Sequence, residues 1–432
     1  MTPSKKTKII SIMPHGPAYH FSPDAMPDVF WKKPDGSVVG FWAHEWLDVL
    51  GEAVLKETGR YDWEVWQPDH RADRVYSKTL PTGVTHKLFP AEDKLYRVGI
   101  RSQIGIFSGI MIERLKELQG CPLVLMLYGT YGFRVPFYHE ILKTFGRSRF
   151  PIFLRSGGMF KTPLGEILKL HRPLTYLSLI IEHLELKKLF WHVDVISEQS
   201  EAALREVKRI YGGRIEKLTM GCDFGFWTPA PTDGVKESAR KKLNIPQGKT
   251  VFFASGNFVP RKQFDRLIEV FRSIETRNDF FLIVAGQGDE PSTGMLASLA
   301  EPLIKQKKAM LHPYAVGEEL RDLYRASDIY ASVATDEGGP ASVMKAMACG
   351  LPVLSTPVGE TAARMKEYGA GRFVPVKNYK EWVKAILEIL DKKIPRALDI
   401  KIARDVYDWP NVAKRFISIY DDLISAHYGT KY

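Results

Sequence analysis

The block Asp336–Val353 has the residue types and spacing of a site for a phosphate-bearing ligand. It follows the predicted strand Ile329–Ser332, and the glycine pair 338–339 leaves backbone amides uncovered before a proline suited to the first position of a helix. The free N–H groups and positive dipole end of such a helix favour a bound anion. Glu337 and Lys345 are eight residues apart, about two turns, so we expect both to project to one side. The alternative is an ordinary helix start, where an acidic residue is common because it stabilises that end.

A second block, Gly256–Gln263, places two adjacent cations directly after the predicted strand Val251–Ser255. Arg261 and Lys262 could bind a diphosphate there through charge-assisted hydrogen bonds. The alternative is that both are exposed side chains on the first turn of a surface helix, although cations are unfavourable at a helix N-terminus without an anion. A third block, Gly286-Gln287-Gly288, is weak evidence for a dinucleotide-binding fingerprint because the third glycine of that motif is missing. It is strong evidence for a tight turn after a strand.

Strands and helices alternate in both halves of the chain, which predicts βαβ units and parallel sheets. The apolar runs Lys8–Met13 and Thr250–Ser255 open the two halves, and a stretch rich in proline and glycine, 227–234, separates them. We therefore predict two Rossmann-like α/β domains, 1–229 and 230–408, that face a cleft and bind ligands at the carboxyl ends of their strands.

Composition excludes several classes of protein. The 432 residues, 45% hydrophobic and 26% charged, are typical of a globular protein and exclude a disordered, collagenous or disulfide-scaffold chain. No apolar run reaches the roughly 18 residues of a membrane span, and the N-terminal apolar stretch is shorter than a signal-peptide core. Cys121, Cys222 and Cys349 lie far apart, without metal spacing, and fit a reducing cytosol. We therefore expect a cytoplasmic protein.

The net charge of +11 is concentrated in one segment. Between Arg101 and Arg172, eleven basic residues against four acidic ones give a charge of +7, with aromatic residues interleaved. This pattern suits peripheral contact with an anionic bilayer on the inner membrane face. The alternatives are a solvated basic face and aromatic side chains that belong to the core. Nucleic acid is not expected as a partner because no recognised nucleic-acid module is present.

Motifs from both halves occur in an order that resembles one family. The segments are Val195–Glu198, Met220–Asp223, Phe226–Pro229, Gly256–Gln263, Ala285–Gly288, Tyr314–Leu320, Glu337–Val353, Pro357–Glu360 and Tyr407–Pro410. Together they resemble the group 1 family of retaining GT-B glycosyltransferases, over about residues 190–425 and more thinly before 190. The resemblance implies a GT-B fold in which residues 409–432 form a helix that packs back on the N-terminal domain. It also implies a nucleotide-diphosphate sugar as donor, with no cofactor and no metal.

The resemblance also implies roles for individual residues. Glu337 and Lys262 are expected to be catalytic, the glutamate on sugar hydroxyls and the lysine on the leaving diphosphate. The expected donor-binding residues are Gly16, Asn257, Arg261, Lys262, Gly286, Tyr314, Ala315, Glu337, Gly338, Gly339, Ala341 and Lys345. The residues expected on the acceptor side are His15, Arg155 and Ser156.

The expected reaction is hexosyl transfer to a glycan or lipid-linked acceptor with retention of configuration, as in polysaccharide biosynthesis. The sequence departs from the family's motifs where Asn257 replaces an arginine, Lys345 a ribose-binding glutamate and Ser156 a histidine. These departures favour the alternative function, a non-catalytic binding or scaffold subunit with the GT-B fold.

Overall fold

The computed structural model describes residues 6–13, 30–41, 45–98, 101–128, 136–156 and 173–429. The chain divides into two compact units. Unit 1 comprises Met1–Leu218 together with Trp409–Tyr432, and unit 2 comprises Thr219–Asp408. The division falls at residue 218 rather than near 229, because residues 219–228 bond within unit 2. The amide of Cys222, for example, donates to the carbonyl of Tyr407 at 2.7 Å.

The main sheet of unit 1 has eight strands in the order β12-β11-β10-β9-β1-β4-β6-β5, parallel except for the edge strand β5. A separate two-stranded piece joins β2 to β3, and an antiparallel hairpin joins β7 to β8. The strands are β1 Thr7–Ile12, β2 Phe30–Lys32, β3 Val38–Gly40, β4 Tyr61–Asp69, β5 Tyr76–Thr79, β6 Thr85–Pro90, β7 Glu92–Val98, β8 Arg101–Phe107, β9 Leu123–Tyr128, β10 Ile152–Arg155, β11 Val195–Glu198 and β12 Arg214–Lys217.

Helices cover both faces of this sheet because its central strands are apolar on both sides. They are α1 Glu45–Glu57, α2 Gly109–Glu117, α3 Pro136–Arg149, α4 Pro173–Phe190, α5 Glu201–Lys208 and, from the end of the chain, α14 Trp409–Tyr428. On one face, strands β1, β9 and β10 pack against α2, α3, α4 and α5. On the other face, Phe153 of β10 meets Phe416 and Tyr420 of α14 edge to face. The C-terminal helix therefore belongs to the core of unit 1.

Unit 2 contains one wholly parallel sheet of six strands in the order β15-β14-β13-β16-β17-β18. The strands are β13 Thr250–Ser255, β14 Phe280–Ala285, β15 Ala309–His312, β16 Ile329–Ser332, β17 Val353–Ser355 and β18 Arg372–Phe373. The helices are α6 Asp233–Lys242, α7 Phe264–Arg272, α8 Glu290–Lys305, α9 Gly317–Ala326, α10 Ala341–Ala348, α11 Gly359–Glu367, α12 Tyr379–Leu390 and α13 Ile400–Tyr407. Buried strand runs such as Phe280–Ala285 form the core with α7, α8 and α12.

The predicted α/β class with parallel sheets is confirmed in both units. The sequence did not indicate the β7–β8 hairpin or the antiparallel edge strand β5. Within the described part of the chain, no helix has the length and apolar character needed to cross a membrane.

Candidate functional site

The strand order of unit 2 reverses direction between β13 and β16. In an open parallel sheet, ligands bind outside the carboxyl ends of the strands at such a reversal point. The chain leaves β13 at Gly256, and it leaves β16 into the loop that carries Glu337. Both blocks that the sequence singled out therefore lie at the place where this topology forms a crevice.

Two cations from the first block meet one carboxylate from the second. Arg261 Nη1 lies 2.7 Å from Glu337 Oε1, and Lys262 Nζ lies 2.5 Å from the same oxygen. Glu337 is buried, whereas the Arg261 side chain is partly exposed. The three side chains together carry one net positive charge, which leaves the group able to attract an anion.

Backbone contacts fix the loop that carries the two cations. Residues Pro260–Lys262 form a single 3-10 turn, and Gln263 ends it in the left-handed region with φ of 52° before α7 begins. The amide of Thr335 donates to the Arg261 carbonyl at 2.9 Å, and Arg261 Nη1 donates to the Asp336 carbonyl at 3.2 Å. The loop after β13 is therefore bonded directly to the loop after β16.

Gly286 is required by a close approach between two strand ends. A Cβ at this position would lie 1.9 Å from the Gly256 carbonyl oxygen. The amide of Gly256 donates to the Ala285 carbonyl at 3.0 Å, and the amide of Phe258 donates to the Gln287 carbonyl at 2.6 Å. Gly286 thus lets the turns after β13 and β14 lie against each other, as expected from a tight turn after a strand.

The segment before α10 is buried and rich in backbone polar groups. Gly338 and Gly339 are buried, Pro340 is the residue that precedes the helix, and no side chain caps this helix start. The Gly338 carbonyl accepts a hydrogen bond from the amide of Glu360 at 2.7 Å, which holds the segment against the start of α11. A glycine-lined helix start with free amides beside two cations is suited to bind phosphate groups.

Two buried tyrosines that the sequence analysis missed lie behind these loops. The Tyr324 hydroxyl donates to the Ser342 carbonyl in the first turn of α10 at 2.9 Å, and it lies 3.3 Å from Ser255 Oγ at the end of β13. The Tyr330 hydroxyl is also 3.3 Å from Ser255 Oγ. Burial raises the pKa of both phenols, so they remain protonated donors. The two tyrosines connect β13 to α10, but nothing local in the sequence shows this long-range contact.

Four further residues predicted on the donor side lie in unit 2, some at the surface and one buried: Asn257, Tyr314, Ala315 and Lys345. The Lys345 ammonium lies 4.8 Å from the centroid of the Trp227 ring. Asn257 and Tyr314 are exposed, and Ala315 is buried after β15. Gly16 and His15 lie outside the described residues.

On the acceptor side, Arg155 is fully buried in unit 1. Its Nη1 donates to the Leu218 carbonyl at 3.0 Å and to Ser197 Oγ at 3.3 Å, and its guanidinium lies 5.1 Å from the centroid of the Phe416 ring. Burial lowers the pKa of Arg155 from its usual value. Ser156 follows it and is also buried. These contacts fasten β10 to β11 and α14.

The described ranges contain no group of three or more His, Cys, Asp or Glu side chains that could hold a metal ion. The cations at the β13–β16 reversal are the positive groups that the structure gives to this site.

Most of unit 2 resembles known proteins in sequence. Residues 235–405 match the family described as glycosyl transferases group 1. The D-inositol 3-phosphate glycosyltransferase of Corynebacterium urealyticum is 28% identical over 245 residues, which cover 54% of this chain and 57% of that protein. Its counterpart in Mycobacteroides abscessus is 28% identical over 219 residues, covering 49% of this chain and 47% of that protein. The matched region thus spans about half the length of these relatives.

Solved structures resemble the chain over nearly its whole length. Sucrose-phosphate synthase from Thermosynechococcus elongatus superposes with a TM-score of 0.67 at 17% identity, covering 98% of this chain and 100% of that one. HepE from Anabaena, solved in complex with UDP, gives a TM-score of 0.66 at 12% identity and covers 97% and 100%. These likenesses show the GT-B fold that the sequence predicted. Within that fold, residues 235–405 of this chain match the family of group 1 glycosyl transferases.

Proposed function

We propose that this protein is a glycosyltransferase of the hexosyltransferase type, which moves a sugar from a nucleotide-diphosphate sugar to a glycan or lipid-linked acceptor. The observation that carries the proposal is the convergence of Arg261 and Lys262 on Glu337 at the β13–β16 reversal. The family of residues 235–405 supports it.

The two cations are placed to act when the bond to the diphosphate breaks. As the bond between the anomeric carbon and the diphosphate breaks, negative charge grows on the leaving diphosphate. Lys262 and Arg261, already fixed by backbone contacts, stabilise that charge at little cost of reorganisation. The amides from Gly338 to Ala341 add donors on the same side. Because this chain's own positive groups can neutralise the diphosphate, we propose a transfer that needs no metal ion and no cofactor.

Glu337 changes partners when a donor binds. In the structure its Oε1 contacts both cations. A diphosphate competes for those cations, and the carboxylate then becomes free to accept hydrogen bonds from sugar hydroxyls. We propose retention of configuration by attack of the acceptor hydroxyl on the face that the diphosphate leaves, with the hydroxyl proton passing to the departing phosphate oxygen. No side chain is assigned as a nucleophile.

The neighbours indicate which substrates to test first. HepE was solved with UDP and with UDP-glucose, and the relatives are named as D-inositol 3-phosphate glycosyltransferases. We therefore choose UDP-glucose as the first donor and D-inositol 3-phosphate as the first acceptor, with a role in polysaccharide biosynthesis kept as the wider proposal.

The test of this site compares UDP with uridine by titration calorimetry. Lys262→Ala should weaken UDP binding by about 10- to 150-fold, since it removes a charge-assisted contact of roughly 1.5–3 kcal/mol, and should leave uridine binding unchanged. Lys305→Ala, on the exposed surface of α8, is the matched control and should change neither. Equal losses for UDP and uridine would remove Lys262 from the diphosphate site.

The second candidate is a non-catalytic subunit that binds a nucleotide sugar without turning it over. The exposed Asn257 and the placement of Lys345 over Trp227 favour it, because neither gives the side chain that the family's motif carries. Release of glucose or UDP from UDP-glucose, with and without acceptor, separates the two functions. Binding without either product supports the subunit.

We also propose that the protein works in the cytoplasm and touches an anionic membrane through unit 1. The structure bears on the aromatic residues that supported this membrane contact in the sequence. Six of the aromatic residues between Arg101 and Arg172 are buried in the core, as the alternative interpretation had it; they are Tyr128, Phe137, Tyr138, Phe145, Phe150 and Phe153. Tyr131, Phe133 and Phe160 lie outside the described residues. The contact surface must therefore be sought elsewhere in unit 1.

A further inference from the structure

The β7–β8 hairpin forms a two-stranded sheet of its own and pairs with no other strand of the described chain. One of its faces packs on α3. The Lys94 ammonium lies 4.1 Å from the centroid of the Phe107 ring and 3.4 Å from the Glu140 carboxylate. A Cβ at Gly105 would lie 3.5 Å from the Pro136 ring. This inner face therefore already has its packing partners within unit 1.

The outer face of the hairpin is apolar at its centre. Leu95 and Ile104 lie directly opposite each other in the strand register, and they are 69% and 71% exposed. Apolar side chains scattered singly over a surface are ordinary, whereas two large ones side by side indicate a surface of association. The pair lies on a ribbon whose inner face is occupied, so a partner can reach it only from outside.

Opposite charges lie on either side of this apolar centre. Asp93 precedes Leu95 by two residues and Arg97 follows it by two, so all three side chains point to the same face of the strand. The Asp93 side chain is 68% exposed, although its carboxylate lies 2.9 Å from His70 Nε2. Arg97 is exposed and forms no ion pair with any residue that the structure describes. We call Asp93, Leu95, Arg97 and Ile104 the hairpin face.

A second copy of this chain complements the hairpin face. A two-fold axis that runs across the hairpin through Leu95 and Ile104 reverses the direction of β7. It places both apolar residues on their own counterparts, and it places Asp93 of each copy opposite Arg97 of the other. In a two-fold interface, residue i contacts residue j and j contacts i, which is the pattern that these two charges satisfy.

An unrelated partner would not require opposite charges at equal distances from one apolar centre. From this symmetry of charge and apolar surface we propose that the hairpin faces of two copies pack against each other and form a two-fold symmetric dimer. Each dimer then contains two ion pairs between Asp93 and Arg97, one on either side of a small apolar contact.

The proposed dimer is weak. Seven residues at about 3.4 Å each give a face roughly 20 Å long and two strands wide, which is smaller than the roughly 800 Å² per partner of a stable complex. We expect a dissociation constant on the order of 10–100 µM. The inference goes beyond the proposed glycosyltransferase function and makes no use of the donor site in unit 2, so either proposal can fail without the other.

The test is sedimentation velocity of the full chain at low salt, over concentrations that bracket this constant. The unmodified chain should pass from monomer to dimer. Asp93→Arg brings arginines opposite each other, and Arg97→Asp does the same with aspartates. Each change should raise the dissociation constant by about 10- to 30-fold, because two attractive pairs per dimer become repulsive.

Restoring the opposed charges should restore the dimer. The chain that carries both Asp93→Arg and Arg97→Asp has the charges in reverse order and should dimerise with about the original constant. An equal mixture of the two single variants should form a mixed dimer of similar strength, because every arginine then lies opposite an aspartate. Neither result is expected from charges that act only within one chain.

Apolar variants test the centre of the contact. Leu95→Asp and Ile104→Asp each place an unpaired charge there, and each should raise the dissociation constant at least about 30-fold. Ile394→Asp is the matched control, since this apolar side chain of unit 2 is 52% exposed, and it should leave the constant unchanged. His70→Gln removes the partner of Asp93 within the chain and should also leave the dimer intact. Unaltered melting temperatures show that the variants remain folded.

Several outcomes would overturn the proposal. One is an unmodified chain that stays monomeric over the whole range. Another is a failure of both the doubly changed chain and the mixture to associate. Dimers that survive Ile104→Asp but not Leu95→Asp would indicate pairing between two β7 edges and would contradict face-to-face packing. Dimers that survive every change to the hairpin face would place the interface elsewhere. If UDP still binds in each case, the glycosyltransferase proposal stands.

Discussion

Two buried glutamates in this protein are each held by two cations, yet they occupy very different places. Glu64 lies within β4 of unit 1, where Lys8, Lys87 at 2.7 Å and the Trp66 indole at 2.7 Å all contact its carboxylate. Glu337 lies in the loop after β16, and both of its cations share one oxygen. The same set of charges thus supports a sheet in one unit and lies at the proposed donor site in the other.

The difference indicates that position in the sheet, more than the identity of the charges, distinguishes a structural ion cluster from a candidate binding site. Glu64 draws its partners from three adjacent parallel strands, where both oxygens are engaged and no glycine exposes the backbone. Glu337 draws its partners from a neighbouring loop at the reversal of strand order, beside the buried pair Gly338-Gly339. Variants of the two glutamates should therefore fail in different assays.

The largest effect is expected from Glu337→Gln. Transfer from UDP-glucose should fall by about 100- to 1,000-fold in kcat, because a hydrogen-bonding group that acts on the sugar in the transition state is weakened. UDP affinity should stay within about threefold, since the cations remain. Steady-state kinetics beside calorimetry measure both. Loss of UDP affinity with unchanged kcat would assign Glu337 to holding the cations only.

Arg155→Leu extends the comparison to a buried cation that donates to the Leu218 carbonyl and to Ser197 Oγ. We expect the free energy of unfolding to fall by about 3 kcal/mol, since the variant leaves the Leu218 carbonyl unsatisfied and removes packing on Phe416. Denaturant unfolding measures this, and UDP affinity should not change. An equally stable variant that loses transfer to the acceptor would return Arg155 to the acceptor side, where the sequence placed it.

Glu64→Gln should lower stability and leave activity unchanged, the opposite of Glu337→Gln. Activity should be retained, and the free energy of unfolding should fall by about 2 kcal/mol because two partly buried lysines lose their partner. Burial opposes ionisation of Glu64, but the bonds from Lys8 and Lys87 outweigh it and hold its pKa below the usual 4.5. This stabilisation is present above that pKa and is lost as pH falls through the lower value of the folded state. The difference in stability between the two chains should therefore shrink as pH falls below 4.5 toward the lower pKa of the folded state, and a constant difference would contradict the assignment.

The smallest effect is expected at Lys345. Its ammonium contacts the Trp227 ring, so Lys345→Met should cost about 0.5–1 kcal/mol of stability and change UDP affinity by less than about threefold. Lys345→Glu, which restores the family's residue, should not raise UDP affinity if the lysine is fastened to Trp227. A clear gain in UDP affinity would show that a carboxylate at this position can still contact the nucleotide.

The sequence predicted the strand Ile329–Ser332 with its observed bounds, and the strand Val251–Ser255 one residue short of its observed start at Thr250, because apolar runs that end in glycine or polar residues are local signals. Lys262 and Glu337 each follow a strand in the sequence, and a parallel sheet brings the carboxyl ends of those strands together. The contact between the two side chains follows from these positions. The roles of Tyr324 and Tyr330 could not be predicted, since each bonds a residue far away in sequence. The burial of Arg155 could not be predicted for the same reason, since it depends on the packing of α14, where Phe416 lies far away in sequence.

The membership of α14 in unit 1 has a consequence for synthesis of the chain. Unit 2 is one continuous stretch, whereas unit 1 receives its last helix only after all of unit 2 has left the ribosome. At about 5–20 residues per second, the first unit waits roughly 10–40 s for the helix that covers Phe153 and Tyr61. During that time the part of the sheet face that α14 covers stays exposed. The order of translation therefore makes the N-terminal unit the aggregation-prone part of the nascent protein and the natural client of a chaperone.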